Sequence, residues 1–198
     1  AELLLVPNGS PFEADKQDVR LNLAVARVTE TGLPLVYLNQ VGGQDELVFD
    51  GGSFCLNADR SLAFKMAGFR EQLLVTDWRR DNGTWHCEPL DPHPVIDDHE
   101  AIWLACVLGL RDYVEKNRFA DVVLGMSGGI DSAVVAALAG DALGPDRVHC
   151  VMLPYKYTSD DSLADAEACA KALGARYDSV PIENPVEGFN GALAEMFA

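Results

Sequence analysis

The sequence predicts an α/β protein whose C-terminal half is built on a doubly wound parallel sheet. Three strand-like runs at 122–126, 148–153 and 177–182 alternate with helix-like runs at 131–143 and 162–173. A repeated strand–helix–strand order indicates parallel strands joined by right-handed crossovers, with ligands at the carboxyl ends of the strands. Hydrophobic residues make up 48% of the chain, which is enough to form a buried core.

The first part of the chain has shorter elements, with one helix among several strands. Apolar positions recur at helical spacing over residues 16–31, and Gly32 followed by Pro34 predicts the end of this helix. Apolar runs bounded by turn residues predict the strands, which we place at 3–6, 35–40, 48–56, 62–66 and 72–76.

A change of composition separates the two parts. Residues 77–96 are rich in proline, histidine and charged residues, and we predict that they form a linker between a domain at 1–76 and a domain at 97–198. Asp97 and Glu100 have the spacing of a pair that caps the next helix. We expect this helix to bury one apolar face, made of Ile102, Trp103, Cys106, Val107, Leu110, Tyr113 and Val114.

Charge and cysteine content exclude several classes of function. The net charge of −16 argues against binding to nucleic acid, which requires basic surfaces. No apolar run could span a bilayer and no signal-peptide pattern is present, so we predict a cytoplasmic protein without a membrane partner. The five cysteines show no C-x-x-C spacing, and we expect Cys106, Cys150 and Cys169 to be buried, reduced thiols. Because both ends fall inside predicted elements, we expect the chain to be part of a longer protein.

The stretch after the strand at 122–126 has the composition of a phosphate-binding loop. Backbone N–H groups at a helix N-terminus bind phosphate, and glycines allow the backbone to approach it closely. Asp131 is placed to bind a Mg²⁺ ion that shares the phosphates. The alternative is a Gly-rich turn in which Asp131 only caps the helix. The predicted ATP-binding residues are Gly125, Met126, Ser127, Gly128, Gly129, Ile130, Asp131 and Ser132.

Three parts of the sequence resemble one known enzyme family. Ser-Gly-Gly-Ile-Asp-Ser at 127–132 resembles the signature of the PP-loop ATP pyrophosphatases, and the Walker lysine pattern is missing. The segment at 154–162 resembles a loop of NAD synthetases. Segments at 1–13, 34–45 and 49–53 resemble the later part of a nitrilase-type amidase domain with an α-β-β-α sandwich. Together they resemble the glutamine-dependent NAD(+) synthetases, in which the amidase domain precedes the PP-loop domain.

The resemblance implies a ligase reaction. ATP would adenylate deamido-NAD, and ammonia released from glutamine would then displace AMP, giving NAD, AMP and pyrophosphate. It implies ATP as a substrate, Mg²⁺ as the metal ion and a homo-oligomer as the parent enzyme. By position, Ser10 and Lys16 resemble residues that contact glutamine, although Lys16 is equally well explained as a solvated side chain at a helix start.

The resemblance is incomplete at the amidase site. The Glu-Lys-Cys triad of that domain has no counterpart among these 198 residues, so no catalytic residue is assigned. Two alternatives stay open. One is another PP-loop amidotransferase, such as a GMP synthetase-like enzyme, and the other is a nucleotide-binding module without turnover.

Overall fold

The structure is a computed structural model that describes residues 1–91, 93, 94 and 96–196. It divides into two compact units, Ala1–Tyr113 and Val114–Ala198. These units are defined by the contacts within each of them and do not test the predicted domain limits of 1–76 and 97–198, which stay a prediction. Among the described residues, no helix combines the length and the apolar character that crossing a membrane requires.

A four-stranded sheet with one covering helix forms the centre of the first unit. The strand order is β1-β2-β5-β6, with β1 and β2 parallel and the other neighbours antiparallel. The parallel pair is joined by helix α1, which ends as predicted because the Gly32 N–H donates to the Val28 carbonyl at a φ of +66°. The elements are β1 (Leu4–Asn8), α1 (Lys16–Thr31), β2 (Leu35–Asn39), β5 (Phe54–Leu56) and β6 (Leu62–Lys65).

Two hairpins complete the strands of this unit, and one of them corrects the sequence prediction. The pairs are β3 (Val41–Gln44) with β4 (Leu47–Asp50), and β7 (Trp78–Asp81) with β8 (Thr84–Cys87). The second hairpin lies inside the predicted linker 77–96. It is folded there because Cys87 is buried and its backbone N–H and C=O both bond the Asn57 side chain. The strand predicted at 72–76 is wrong, since that segment contains no strand.

Helix α2 (Asp98–Lys116) begins as predicted but buries a different face. The Glu100 N–H donates to Asp97 Oδ1 at 2.9 Å, which confirms the cap. The helix lies close to β3, because a Cβ on Gly43 would lie only 3.0 Å from the Gly109 Cα. The buried residues of α2 are Ala101, Ala105, Leu108 and Val114. Of the predicted face, Val114 is therefore buried, whereas Ile102, Cys106 and Tyr113 are exposed.

The second unit is a three-stranded parallel sheet, which confirms the predicted parallel α/β arrangement. Its order is β11-β10-β9, so the chain moves in one direction across these strands. Alanines on α3 and α4 are buried, which lets the helices lie close to the sheet and to each other. The elements are β9 (Val122–Gly125), α3 (Ile130–Leu143), β10 (Val148–Met152), α4 (Asp160–Leu173), β11 (Arg176–Ser179) and α5 (Glu183–Leu193).

Candidate functional site

The loop between β9 and α3 is folded around its own serine hydroxyl groups. The Ser127 N–H donates to Ser132 Oγ at 3.2 Å, and the Gly129 N–H donates to Ser127 Oγ at 3.3 Å. Ser132 Oγ in turn donates to the Gly129 carbonyl at 2.9 Å. The two bonds from N–H groups are long and all three bonds are neutral, so an anionic phosphate could replace the N–H bonds with stronger, charge-assisted ones.

Gly128 is the residue that brings this loop against the start of α4. Its φ is +78°, and a Cβ at this position would lie 2.4 Å from the Ser162 carbonyl oxygen. Only glycine tolerates both the left-handed backbone and this close approach. The N-termini of α3 and α4 therefore begin at the same edge of the sheet, where β9 and β10 end.

The second loop, between β10 and α4, is ordered by its hydroxyl and aromatic side chains. Ser159 caps α4 by accepting the Ser162 N–H at 3.2 Å. The Lys156 ammonium lies over the rings of Tyr155 and Tyr157, 5.3 and 5.1 Å from their centroids. Hydrogen bonding to Tyr155 raises the pKa of Lys156 above its ordinary value. Lys156 belongs to the segment at 154–162 that resembles a loop of NAD synthetases, and it is not one of the residues that line the cleft.

An open cleft of about 420 Å³ lies between the two loops. Three of the predicted ATP-binding residues line it, and the other five form the rest of the loop and the first turn of α3. Met126 is buried, and its N–H donates to the Val151 carbonyl at 2.9 Å, which fixes the loop to β10. The lining residues are Gly125, Met126, Ser127, Val151, Met152, Leu153, Tyr157, Thr158, Ser159 and Ser162.

Asp131 lies in the first turn of α3 with its carboxylate exposed. The described part of the chain contains no group of three or more His, Cys, Asp or Glu side chains suited to hold a metal ion. Mg²⁺ often binds proteins through one or two carboxylates together with substrate phosphates. A single exposed carboxylate beside a phosphate loop fits that mode of binding.

Ser10 and Lys16, the two residues predicted to contact glutamine, line the same cleft in the first unit. Two residues that share a ligand must lie in this way. This cleft has a volume of about 340 Å³ and is formed by β1, β2 and α1. Lys16 forms an ion pair with Glu13, so a bound carboxylate would compete with that pair. The lining residues are Val6, Asn8, Ser10, Lys16, Val19, Arg20, Leu23, Ala24, Arg27, Leu35 and Tyr37.

The comparisons with known proteins agree with this geometry. The NAD synthase family model matches residues 102–197. The glutamine-dependent NAD(+) synthetase of Rhodobacter capsulatus is 52% identical over 198 residues, which is the whole of this chain and 36% of that protein. The chain belongs to the glutamine-dependent NAD(+) synthetase family. It spans just over a third of the length of the curated relatives that it matches.

Other members of the NAD(+) synthetase family support the assignment. The Acinetobacter baylyi enzyme is 40% identical over 99% of this chain and 36% of its own length. A glutamine-dependent NAD(+) synthetase structure from Acinetobacter baumannii, in complex with ADP, superimposes with a TM-score of 0.94. The two chains are 38% identical in sequence, and the superposition covers 100% of this chain and 37% of the Acinetobacter baumannii chain. The fold of the chain is therefore that of the corresponding part of this synthetase.

One group of polar residues in the first unit was missed by the sequence analysis. Arg20, Asn39 and Asp50 are buried around Ser10. The signal was present in α1, because Arg20 lies four and eight residues before the buried Ala24 and Val28 and so shares their face. An arginine on the buried face of a helix requires a partner, and Asp50 supplies it.

Proposed function

We propose that the chain is the part of a glutamine-dependent NAD(+) synthetase that binds ATP and forms one wall of the glutamine pocket. The whole enzyme would adenylate deamido-NAD and amidate it with ammonia from glutamine, giving NAD, AMP and pyrophosphate. The observation that carries the proposal is the contact of Gly128 with Ser162. It supports the proposal because the glycine-rich loop at 125–132 and the hydroxyl-rich loop at 154–162 then lie on either side of one cleft.

The chemistry follows from the loop between β9 and α3. Its N–H groups and the hydroxyls of Ser127 and Ser132 would hold the pyrophosphate of ATP, while the N-terminal dipole of α3 favours the negative charge. These donors would stabilise the pyrophosphate as it leaves the α-phosphate. Mg²⁺ on Asp131 would offset phosphate charge when it is bound.

For glutamine, the proposal assigns binding and no catalytic step to this chain. Ser10 would donate to a glutamine oxygen, and Lys16 would pair with the α-carboxylate. Burial raises the pKa of the Cys55, Cys87 and Cys150 thiols, which makes these three cysteines poor nucleophiles. Because none of the five cysteines stands in the sequence context of the amidase nucleophile, we infer that this nucleophile is supplied by another part of the enzyme.

The finer features of the family belong to the same proposal. We propose that residues 1–76 are part of an α-β-β-α nitrilase-type amidase domain and that 97–198 begin a PP-loop synthetase domain, with 77–96 between them. The sheet would become doubly wound through strands beyond β9, β10 and β11. The parent enzyme would be a cytoplasmic homo-oligomer.

The test uses the full-length enzyme with deamido-NAD and ATP, and with either glutamine or ammonium as the nitrogen source. Both sources should give NAD, AMP and pyrophosphate. Asp131→Asn should lower both activities by about 100-fold or more, because the Mg²⁺ ligand is lost. Asp146→Asn is the matched control, since this exposed aspartate precedes β10 at the opposite edge of the sheet. ATP binding without deamido-NAD-dependent pyrophosphate release would identify a nucleotide-binding module instead.

A further inference from the structure

We propose that Arg20, paired with Asp50, is a positioning residue that fixes Ser10 and directs its hydroxyl as a donor into the glutamine cleft. The inference rests on the proposed function, because it concerns how the same cleft recognises glutamine. It adds a residue to which no binding role has been given above.

The guanidinium of Arg20 is committed almost entirely to the segment that contains Ser10. Its Nε donates to Ser10 Oγ at 3.1 Å, and its Nη2 donates to the carbonyls of Ser10 and Pro11, both at 2.9 Å. The side chain is only 7% exposed. A planar guanidinium that makes these bonds at once leaves the Ser10 segment little freedom to move.

Asp50 and Asn39 hold the network from the other side. Arg20 Nη1 donates to Asp50 Oδ2 at 2.7 Å, and Asp50 is fully buried. Asn39 accepts the Ser10 N–H at 2.9 Å and donates to the Ser10 carbonyl at 3.0 Å. A buried ion pair contributes little net stability compared with apolar residues of the same volume. The bonds from Arg20 and Asn39 converge on Ser10, which points to a role of this network in positioning Ser10.

The bond from Arg20 also fixes the hydrogen-bonding polarity of Ser10. Arginine can only donate, so Ser10 Oγ accepts this bond and its own hydrogen must be directed at a different acceptor. Ser10 and Lys16 line the same cleft, and both then present donors to it. Glutamine offers carboxylate and amide oxygens, which are acceptors that match them.

The experiment compares two nitrogen sources in the full-length enzyme. Arg20→Met should raise the KM for glutamine by about 10-fold or more, because the Ser10 hydroxyl loses its orientation. The kcat and KM for ammonium should stay within about two-fold, since ammonium bypasses the glutamine cleft. Arg79→Met is the matched control. It removes an exposed arginine whose Nε pairs with Glu88 at 2.7 Å, in a hairpin that does not line the cleft.

Two further variants separate positioning from folding. The Arg20→Lys variant retains the positive charge beside Asp50, but its side chain has only one nitrogen and cannot make all the bonds of the guanidinium. It should therefore raise the KM for glutamine, while its unfolding temperature should lie closer to that of the wild type than the unfolding temperature of Arg20→Met does. If Arg20→Met does not fold, this variant replaces it. Ser10→Ala combined with either change should raise the KM by less than about two-fold further, because Arg20 acts through Ser10.

The possible failures can be told apart. Equal losses with glutamine and ammonium, or additive effects of the Ser10 and Arg20 changes, would overturn the positioning role and leave the proposed function intact. A wild-type enzyme that makes no NAD from glutamine would overturn the proposed function and, with it, the role of Arg20.

Discussion

Replacing Gly128 with alanine tests the geometry of the nucleotide cleft most directly. The added Cβ would meet the Ser162 carbonyl oxygen at 2.4 Å, whereas ordinary contact begins at 3.4 Å, so the loop or α4 must move by about 1 Å. The positive φ of +78° is a second cost, about 1–2 kcal/mol for a residue with a Cβ. With about 1–3 kcal/mol for the forced contact, we expect a total loss of about 2–5 kcal/mol of unfolding free energy.

The functional loss should be similar in free energy to the loss of stability, because about 100-fold in rate corresponds to about 2.7 kcal/mol. A displacement of about 1 Å in a group that positions substrate can cost about 100-fold in rate. ATP affinity is measured by calorimetry, and unfolding is followed by circular dichroism. Gly140→Ala serves as the control, because this glycine lies inside α3 with no atom within 4 Å of its added Cβ. Unchanged ATP affinity and unchanged unfolding temperature in Gly128→Ala would refute the reasoning.

Three further predictions concern single side chains. Glu13→Gln should lower the glutamine KM of the full-length enzyme a few-fold, since the competing ion pair with Lys16 is lost; an unchanged KM would place Lys16 outside the pocket. Cys106 should react with iodoacetamide in the native chain, as peptide mass mapping would show, because its side chain is exposed; protection in this isolated chain would contradict the exposure of that face of α2. A hydrogen bond from His149 lowers the pKa of Asp178, so its stabilising contribution is complete above the ordinary pKa and is lost as the pH falls through the lowered value. Acid unfolding of Asp178→Asn should therefore depend less on pH than that of the wild type, and identical profiles would exclude the effect.

Local signals predicted most of the fold. The helix at 16–31 was predicted with its observed limits because Gly32 marks its end. The strands β9 and β10 lie within the predicted runs, whereas β11 (Arg176–Ser179) begins one residue before its predicted run of 177–182 and ends three residues earlier. These features depend on residues that are close together in the chain. The strand predicted at 72–76 failed because its apolar residues are not paired in a sheet, and Leu73 and Val75 are exposed.

The errors came from packing between distant segments. The face of α2 was predicted from the size of its apolar residues, but the contact between Gly43 and Gly109 favours its small ones. In the same way, no local pattern joins Arg20 to Asp50, which lie thirty residues apart. Periodicity identifies the residues that can be buried, and the partner segment decides which of them are.

The two clefts differ in how their polar groups are satisfied without a ligand. The phosphate loop bonds to itself through exposed contacts of 3.1–3.3 Å, such as those of Ser127 with Ser132, which a phosphate can replace. Ser10 is instead held by the buried Arg20, whose guanidinium donates to its hydroxyl at 3.1 Å and to its carbonyl at 2.9 Å. Nucleotide should therefore rearrange and stabilise its loop, whereas the glutamine cleft should meet its ligand with Ser10 already in place. Because a site organised in advance spends less free energy on ordering, its affinity should depend on the buried network behind it.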